Sequence, residues 1–340
     1  MAGISIGAIN SALIAGNPPE TRVEKLRAFW EGVTARPWWA PDEALIAQFV
    51  EGDAARNVLN QSAAARAAVG GIDGFFAPHM RNPWLAPAGA PDATSYYDTA
   101  ALKTTLERLV DFDRLNHDGG MRFSVGAVNV RSGNFVYFDT ETHVIRPEHV
   151  MASGALPPGF PAVEIDGEHY WDGGIVSNTP LNWVLESVPR RDTLAFQVDL
   201  WNARGRFPRS IAEVATRQKE IQYSSRTRAN SDRFRQLQQV RCALADLLDR
   251  LPPELADSPE ARLLRPAADH RVYNLVQLIY RSKSYEADSK DYEFSRLSMQ
   301  DRWRAGYNDA VRALRHPDVL ARPNNPAGIG VFDLAEPGYD

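Results

Sequence analysis

Hydrophobic positions along this chain follow two different periods. Apolar residues recur every three or four positions in several segments, which predicts helices, and every second position in others, which predicts strands. Because the two patterns alternate along the chain, they favour an α/β fold. The predicted helices span about 20–33, 42–51, 56–68, 98–110, 209–250 and 295–314, and the predicted strands span 122–130, 135–138, 194–200 and 271–280.

A glycine-rich segment stands at the N-terminal end of the chain. Residues 3–7 read Gly-Ile-Ser-Ile-Gly, a G-x-S-x-G motif that precedes a run of small helix-forming residues. This motif is typical of a nucleophile elbow, a sharp strand-to-helix turn that carries a serine. In that interpretation Ser5 is the nucleophile, Gly3 and Gly7 leave room for the turn, and the backbone N–H of Ile6 faces the developing oxyanion. The structural alternative is a glycine-rich turn before a helix.

A second glycine motif lies far downstream, where Asp172 is followed by Gly173 and Gly174. The preceding Asp-Gly pair at 166–167 predicts a hairpin turn, and Asn178 is suited to cap the next helix. A serine hydroxyl is a weak nucleophile until a base takes its proton. The two motifs together therefore indicate a serine acyl hydrolase with an aspartate base. The structural alternative is a hairpin that runs into a helix.

In combination these motifs resemble those of the patatin-like phospholipases. That family carries G-x-S-x-G and D-G-[GA], usually followed by Asn-x-Pro, which is Asn178-Thr179-Pro180 in this chain. Residues 152–161 resemble the family's alanine- and proline-rich segment before the aspartate. The resemblance covers about the first 200 residues and implies a three-layer α/β fold with a largely parallel central sheet.

The resemblance also implies a reaction and a catalytic mechanism. A dyad of Ser5 and Asp172 would cleave carboxylic esters of phospholipids or acylglycerols through an acyl-enzyme, with no cofactor and no metal ion. The dyad requires Asp172 to lie close to Ser5. An ordinary aspartate, with a pKa near 3.9, is a poor base at pH 7, so desolvation is expected to raise its basicity.

One family feature has no counterpart in this sequence. Members carry a loop, G-G-G-x-[RK]-G, ahead of the elbow, and its N–H groups belong to the oxyanion hole. Here the elbow begins at Gly3, which predicts a truncated N-terminal strand. Since each lost oxyanion donor typically costs about 10²–10³ in rate, we expect the chain as written to be poorly active and unstable. A version extended upstream is expected to be active.

Two other functions stay open at this level. An α/β-hydrolase triad has the chain order Ser…Asp/Glu…His, which Ser5, Asp172 and His270 satisfy, although His270 precedes a strand instead of following the last one. His169 faces away from Asp172 by strand alternation, which favours a structural role. The other alternative is a catalytically impaired lipid-binding protein, because the oxyanion loop is absent.

Composition predicts three regions. Residues 1–204 form the predicted catalytic domain, 205–317 a mainly helical C-terminal extension with one added strand, and 318–340 a loosely ordered tail. Some patatin-like proteins carry an appended region of this kind. The helix over 209–250 is expected to bury an apolar stripe made of Ile211, Val214, Ile221, Leu237, Val240, Leu244 and Leu247.

An aromatic and proline-rich insertion spans about 36–95 within the predicted catalytic domain. It is either a lid that touches a lipid surface, since aromatic rings suit a membrane interface, or a cap packed over the core. Its aromatic residues include Trp38, Trp39, Phe75, Phe76 and Trp84.

Charge and cysteine content limit the possible partners and the cellular compartment. The 340-residue chain has a net charge of −5, so nothing points to a nucleic-acid partner. No apolar run approaches the length of a membrane span. Its single cysteine, Cys242, cannot form an internal disulfide and fits a reducing compartment. These features favour a cytoplasmic location. The resemblance to patatin-like phospholipases implies a lipid or acyl-ester substrate and, with it, a peripheral contact at the membrane. No residue spacing resembles a metal site.

Overall fold

The computed structural model describes residues 1–34, 52–118, 120–205, 207–281, 286 and 292–334. The helix predicted over 42–51 lies outside the described residues, as do Trp38 and Trp39.

Most predicted helices and strands are present, with ends that differ by a few residues. The helices are α1 (Ile6–Ala15), α2 (Arg22–Val33), α3 (Asp53–Gly70), α4 (Ala100–Leu109), α5 (Pro147–Ser153), α6 (Leu181–Leu185), α7 (Ile211–Asp249), α8 (Pro253–Ala256), α9 (Pro259–Leu264), α10 (Arg296–Arg315) and α11 (Pro317–Leu320). The strands are β1 (Ala2–Gly3), β2 (Ala77–Pro78), β3 (Tyr97–Asp98), β4 (Ser124–Asn129), β5 (Phe135–Asp139), β6 (Val163–Ile165), β7 (Glu168–Asp172), β8 (Thr193–Asp199), β9 (Tyr273–Ile279) and β10 (Ile329–Asp333). This mixed composition confirms the predicted α/β class.

The chain divides into two compact units, each assembled from several stretches of sequence. The first comprises Met1–Pro180, Pro208–Lys219 and Ser282–Trp303, and the second comprises Leu181–Phe207, Glu220–Arg281 and Arg304–Asp340. This division differs from the predicted boundary near residue 204. The reason is that β8 pairs with β9, so hydrogen bonding places it in the second unit.

β4 is the central strand of the five-stranded sheet in the first unit, and it is buried along its whole length. Residues 124–128 pair antiparallel with β5 along one edge of β4. The opposite edge is shared: β1 pairs with 124–125 in parallel, and β7 pairs with 127–129 in antiparallel orientation. The C-terminal ends of β1 and β7 therefore approach each other beside Gly126.

The hairpin that leads to Asp172 has the predicted turn. β6 and β7 are antiparallel and pair Ile165 with Glu168. Asp166 and Gly167 between them both have positive φ, 51° and 83°, as a tight two-residue hairpin turn requires.

The core of the first unit packs small helical residues against this sheet. Ala8, Ala12 and Leu13 of α1 are completely buried, together with Val125 of β4. The same core contains Phe75 and Phe76, so these two residues pack into the protein and do not form a lid. Trp84, from the same insertion, is 83% exposed.

The second unit contains a separate three-stranded sheet in the order β10-β9-β8, and both pairings are parallel. The prediction of a loosely ordered tail after residue 317 is therefore wrong for the described part of it. Ile329–Asp333 pairs residue by residue with β9, and α11 precedes it. The short apolar segment forms a strand because β9 supplies a partner that is distant in sequence.

The predicted apolar stripe of the long helix α7 is also wrong. Val240 and Leu247 are 63% and 58% exposed. The buried face instead contains a polar residue, Gln238, whose Nε2 donates a hydrogen bond to the carbonyl of Arg271 at 2.9 Å. This bond pairs the buried amide nitrogen of Gln238 with a residue distant in sequence, so the apolar pattern alone selected the wrong face. The buried residues of α7 include Phe234, Gln238, Arg241, Cys242, Ala245 and Leu248.

Candidate active site

The turn between β1 and α1 places Ser5 in an unusual backbone conformation. Its φ is 55° and its ψ is −127°, a region that residues other than glycine occupy at an energetic cost. The surrounding backbone restrains it, because the N–H of Ser5 donates to the carbonyl of Ser153 at 3.0 Å and the N–H of Gly7 donates to that of Ile4 at 2.9 Å. Ser5 thus sits on a sharp strand-to-helix turn.

Asp172 is the last residue of β7, and its carboxyl group contacts this turn. The Oγ of Ser5 donates a hydrogen bond to Oδ2 of Asp172 at 2.6 Å, across a sequence separation of 167 residues. The other carboxyl oxygen, Oδ1, accepts from the N–H of Gly174 at 2.7 Å. The contact follows from the fold, because Ser5 and Asp172 stand at the two strand ends that converge beside Gly126.

Burial changes the acidity of Asp172. The side chain is only 2% exposed, and burial raises the pKa of Asp172 to about 6, although hydrogen bonds from Ser5 and Gly174 favour the carboxylate and limit the rise. At neutral pH this carboxyl group is mostly ionised and yet more basic than an exposed aspartate. It can therefore accept a proton from the hydroxyl group that it contacts.

Comparison with family models supports the resemblance noted in the sequence. The model described as patatin-like phospholipase matches residues 1–184, more than half of the chain. The chain belongs to the patatin-like phospholipase family. A second model, described as patatin phospholipase, matches residues 221–326, so the C-terminal region also has counterparts in the family. No curated protein matches the chain significantly.

The glycines of this patatin-like phospholipase differ in what they contribute. A methyl group on Gly3 would lie 2.3 Å from the carbonyl oxygen of Gly7, and one on Gly173 would lie 2.5 Å from that of Gly126. A methyl group on Gly174 would approach Oδ1 of Asp172 and Oδ1 of Asn178. Close backbone approach thus requires Gly3 and Gly173, and Gly174 lies against the carboxyl group.

Two predictions about supporting residues need correction. A methyl group on Gly7 would meet no atom within 4 Å, so the turn does not need glycine there for lack of space. α6 begins at Leu181, directly after Pro180, so Asn178 stands ahead of the helix and is not its N-terminal cap. Its side chain is placed beside Gly174 instead.

Exchange of each elbow glycine for alanine tests this difference. We expect Gly3→Ala to lower the free energy of unfolding by about 3 kcal/mol or more, because the new methyl group overlaps backbone atoms that cannot easily move. Gly7→Ala is the matched control and is expected to stay within about 1 kcal/mol of the parent protein, since alanine is favourable in a helix. Thermal unfolding followed by circular dichroism measures both. Equal melting temperatures for the two variants would contradict the steric argument.

Ile6 is the first residue of α1. Within the part of the chain that the structure describes, its backbone N–H has no hydrogen-bond acceptor, whereas the N–H groups of Gly7 and Ala8 donate to Ile4 and Ser5. The first N–H groups of a helix have no partner inside the helix, and the helix dipole makes this end attractive to negative charge. This N–H is available to an oxyanion next to Ser5.

His270, which sequence order suggested for a triad, and His169, to which a structural role was assigned, both lie apart from the Ser5–Asp172 contact. The direct bond between Ser5 and Asp172 leaves no space for an imidazole ring between them. Nε2 of His270 lies 3.3 Å from Oδ2 of Asp249 in the second unit. His169 is exposed, whereas Asp172 is buried, which confirms that they face opposite sides of β7.

Three residues that contact this site were not predicted from the sequence. Ser153 and Ala155 accept hydrogen bonds from the N–H groups of Ser5 and Asp172 respectively, and Gly126 lies where the two strands end. The only sequence signal for Ser153 and Ala155 was the alanine- and proline-rich segment that contains them. That pattern did not reveal their contacts.

Neither a metal-ion site nor a membrane-spanning helix is found among the described residues. Among them, no three His, Cys, Asp or Glu side chains are grouped in a way that would hold a metal ion. Of the helices described, none combines the length and the apolar character needed to cross a bilayer.

Proposed function

We propose that this protein is a serine hydrolase that cleaves carboxylic esters of phospholipids or acylglycerols, with Ser5 as nucleophile and Asp172 as general base. Membership of the patatin-like phospholipase family supports lipid acyl hydrolase activity in general. The observation that carries the specific proposal is the 2.6 Å hydrogen bond from Ser5 Oγ to Asp172 Oδ2. It joins a hydroxyl group on a strained turn to a buried carboxyl group of raised basicity.

The proposed reaction begins when Oγ of Ser5 attacks the carbonyl carbon of the ester, while Oδ2 of Asp172 accepts the hydroxyl proton. The carbonyl oxygen becomes an oxyanion, which accepts a hydrogen bond from the N–H of Ile6 at the positive end of α1. The tetrahedral intermediate then collapses, and the bond to the alcohol oxygen breaks. Asp172 returns its proton to that oxygen, so the alcohol leaves and an acyl-enzyme remains.

Hydrolysis of the acyl-enzyme uses the same groups with water in place of Ser5. Asp172 takes a proton from the water as its oxygen attacks the acyl carbon, and then returns the proton to Oγ of Ser5 as the fatty acid leaves. Hydrogen bonding by Gly174 to Oδ1 leaves Oδ2 for proton transfer. The proposed dyad needs no imidazole, because burial has already raised the basicity of the carboxyl group.

Substrate class and location form part of the proposal. We infer a lipid or acyl-ester substrate that is met at a membrane surface from the aqueous side. The exposed side chain of Trp84 supports such a contact, since tryptophan is favoured at membrane interfaces. A cytoplasmic location is supported by the unpaired, buried Cys242.

Release of fatty acid from defined lipids tests the proposal. The purified chain should release fatty acid from phosphatidylcholine vesicles or from acylglycerol emulsions, at a low rate because the family's glycine-rich loop has no counterpart in it. Mass spectrometry of trapped intermediates should find the acyl group on Ser5. Folded protein that releases no fatty acid from either lipid, and that no activated ester acylates, would contradict the proposal. A folded protein that only binds the vesicles would favour the lipid-binding alternative.

The pH profile supplies a separate prediction. We expect kcat/KM for a soluble p-nitrophenyl ester to rise tenfold per pH unit below about pH 6 and to level off above it, because the base must be ionised. The free energy of unfolding should instead fall with rising pH, because the pKa of Asp172 is higher in the folded protein than in the unfolded chain. The contribution of Asp172 to stability is largest below about pH 3.8 and is lost as the pH rises through about 6. Initial rates from pH 4 to 8 measure the first effect. A flat profile over that range would exclude Asp172 as the base.

A further inference from the structure

The shared edge of β4 has a gap at Gly126. β1 ends its pairing at Val125 and β7 ends at Ala127, so neither strand pairs with Gly126 between them. The carbonyl oxygen of Gly126 accepts a hydrogen bond from Oγ of Ser153 at 2.6 Å. Ser153 is completely buried at the C-terminal end of α5. Its hydroxyl group thus occupies the place where the two strands meet.

The same hydroxyl group contacts the backbone of Ser5. The N–H of Ser5 is shared between two acceptors of Ser153, Oγ at 3.1 Å and the carbonyl oxygen at 3.0 Å. The Ser153 hydroxyl therefore accepts from the elbow and donates to the central strand. Because Ser5 has a strained backbone, with φ of 55°, it keeps this conformation only where the surroundings restrain it.

The turn that follows Ser153 holds Asp172 as well. The carbonyl of Ala155 accepts a hydrogen bond from the N–H of Asp172 at 2.9 Å, and the N–H of Ala155 donates to Ala152 at 3.2 Å. Ala152 and Ala155 are buried. One short segment, 153–155, therefore binds the backbone of Ser5 and the backbone of Asp172 at the same time.

We infer that Ser153 is a positioning residue, whose hydroxyl group fixes the Ser5 backbone against β4 and so keeps Oγ of Ser5 within hydrogen-bond distance of Asp172. This inference rests on the proposed function of Ser5 and Asp172. The hydroxyl group of Ser153 donates its hydrogen bond to the carbonyl oxygen of Gly126, so it is not proposed to take part in proton transfer.

Loss of the Ser153 hydroxyl has a specific expected effect. The carbonyl of Ser153 still accepts from the N–H of Ser5, so the elbow is loosened but not released. Misplacement of a reacting group by about 1 Å can cost about 10²-fold in rate, and we expect Ser153→Ala to lower kcat about 10- to 100-fold. KM should stay close to that of the parent protein, because the buried side chain does not reach substrate.

The pH profile separates positioning from a general structural role. The hydrogen bond from Ser5 favours the carboxylate of Asp172, so a loosened Ser5 favours its protonated form. The acid limb of kcat/KM should therefore move to higher pH in Ser153→Ala. A variant that is only less stable contains less active protein, which lowers the rate but leaves the midpoint of the limb unchanged.

The matched control is Ser124→Ala. Ser124 is a buried serine of β4 whose Oγ donates to Asp139, so its replacement deletes a buried hydroxyl group that makes no hydrogen bond to Ser5. We expect Ser124→Ala to keep the parent pH midpoint, and its kcat per folded molecule should be unchanged. Ser153→Thr retains a hydroxyl group and should restore kcat to within about threefold of the parent value, whereas Ser153→Cys should lose about tenfold.

The possible results distinguish failure of the positioning role from failure of the proposed function. If Ser153→Ala does not fold, the comparison of Ser153→Thr with Ser153→Cys decides, because the two differ in the hydroxyl group. Parent-like kcat and pH midpoint in the alanine or cysteine variant would overturn the positioning role while leaving the proposed function intact. Equal losses in the threonine and cysteine variants would also overturn it. An inactive parent protein that no activated ester acylates would instead overturn the proposed function and this inference with it.

Discussion

Ser5→Ala is expected to abolish covalent labelling by a fluorophosphonate probe and to lower ester hydrolysis by about 10³- to 10⁶-fold. The variant lacks the only atom that is proposed to form the acyl-enzyme, so the Asp172 carboxyl group and the N–H of Ile6 have no nucleophile to assist. Residual hydrolysis would come from binding and from polarisation of the ester carbonyl alone. Labelling detected by in-gel fluorescence and initial rates with a p-nitrophenyl ester measure the two effects.

Ser11→Ala is the control for this experiment. Ser11 lies on the same helix, α1, and is buried, so its replacement tests the general effect of a lost hydroxyl group in that helix. It should retain labelling and most of the activity. Undiminished labelling of Ser5→Ala, or labelling that maps to another serine in the parent protein, would rule out Ser5 as the nucleophile.

Asp172→Asn is expected to lower kcat by about 10³- to 10⁴-fold while the protein remains folded. The amide has the shape of the carboxyl group and can still contact Ser5, but it cannot accept a proton at any pH used for the assay. Since burial raises the pKa of Asp172 to about 6, the parent protein carries an unfavourable buried charge above that pH. The variant lacks this charge, so its melting temperature at pH 8 should equal or exceed that of the parent.

Asp139→Asn is the matched control, because Asp139 is another buried aspartate of the same sheet. Burial alone would raise the pKa of Asp139, but hydrogen bonds from Ser124, from the N–H of Glu141 and from Arg122 outweigh it and lower the pKa. Its ionised form therefore stabilises the fold above the ordinary aspartate pKa, and this contribution is lost as the pH falls. Asp139→Asn should lower the melting temperature at pH 8 and keep kcat per folded molecule. The same stability change in both variants would contradict the assignment of a raised pKa to Asp172.

Local sequence patterns predicted most helices, strands and turns, because the backbone preferences of neighbouring residues determine these elements. A two-residue hairpin turn requires positive φ at both positions, and the Asp-Gly pair at 166–167 adopts it and forms the predicted turn. The strand predicted over 122–130 is present as Ser124–Asn129. Apolar pattern failed for α7, where Gln238 and Arg241 are buried in place of Val240 and Leu247, because partners distant in sequence decide which polar side chains can be buried.

The glycine motifs named the residues of the site but not the reason for each glycine. Gly3 is needed because the backbone of Gly7 lies against it, whereas Gly7 itself has open space. Likewise, Ser153 stood in a segment that the sequence analysis singled out, and yet its contacts with Ser5 and Gly126 depend on α5 ending beside β4. No spacing along the chain contains that information.

By itself the sequence determined the α/β class, the turn that carries Ser5, the hairpin that ends at Asp172, and the choice of these two residues as partners. Each of these depends on short-range preferences or on motifs of a few residues. Tertiary structure alone decided that β1 and β7 share one edge of β4 and stop on either side of Gly126. That arrangement depends on strand register between distant segments, and it brings a hydroxyl group and a buried carboxyl group to 2.6 Å from each other.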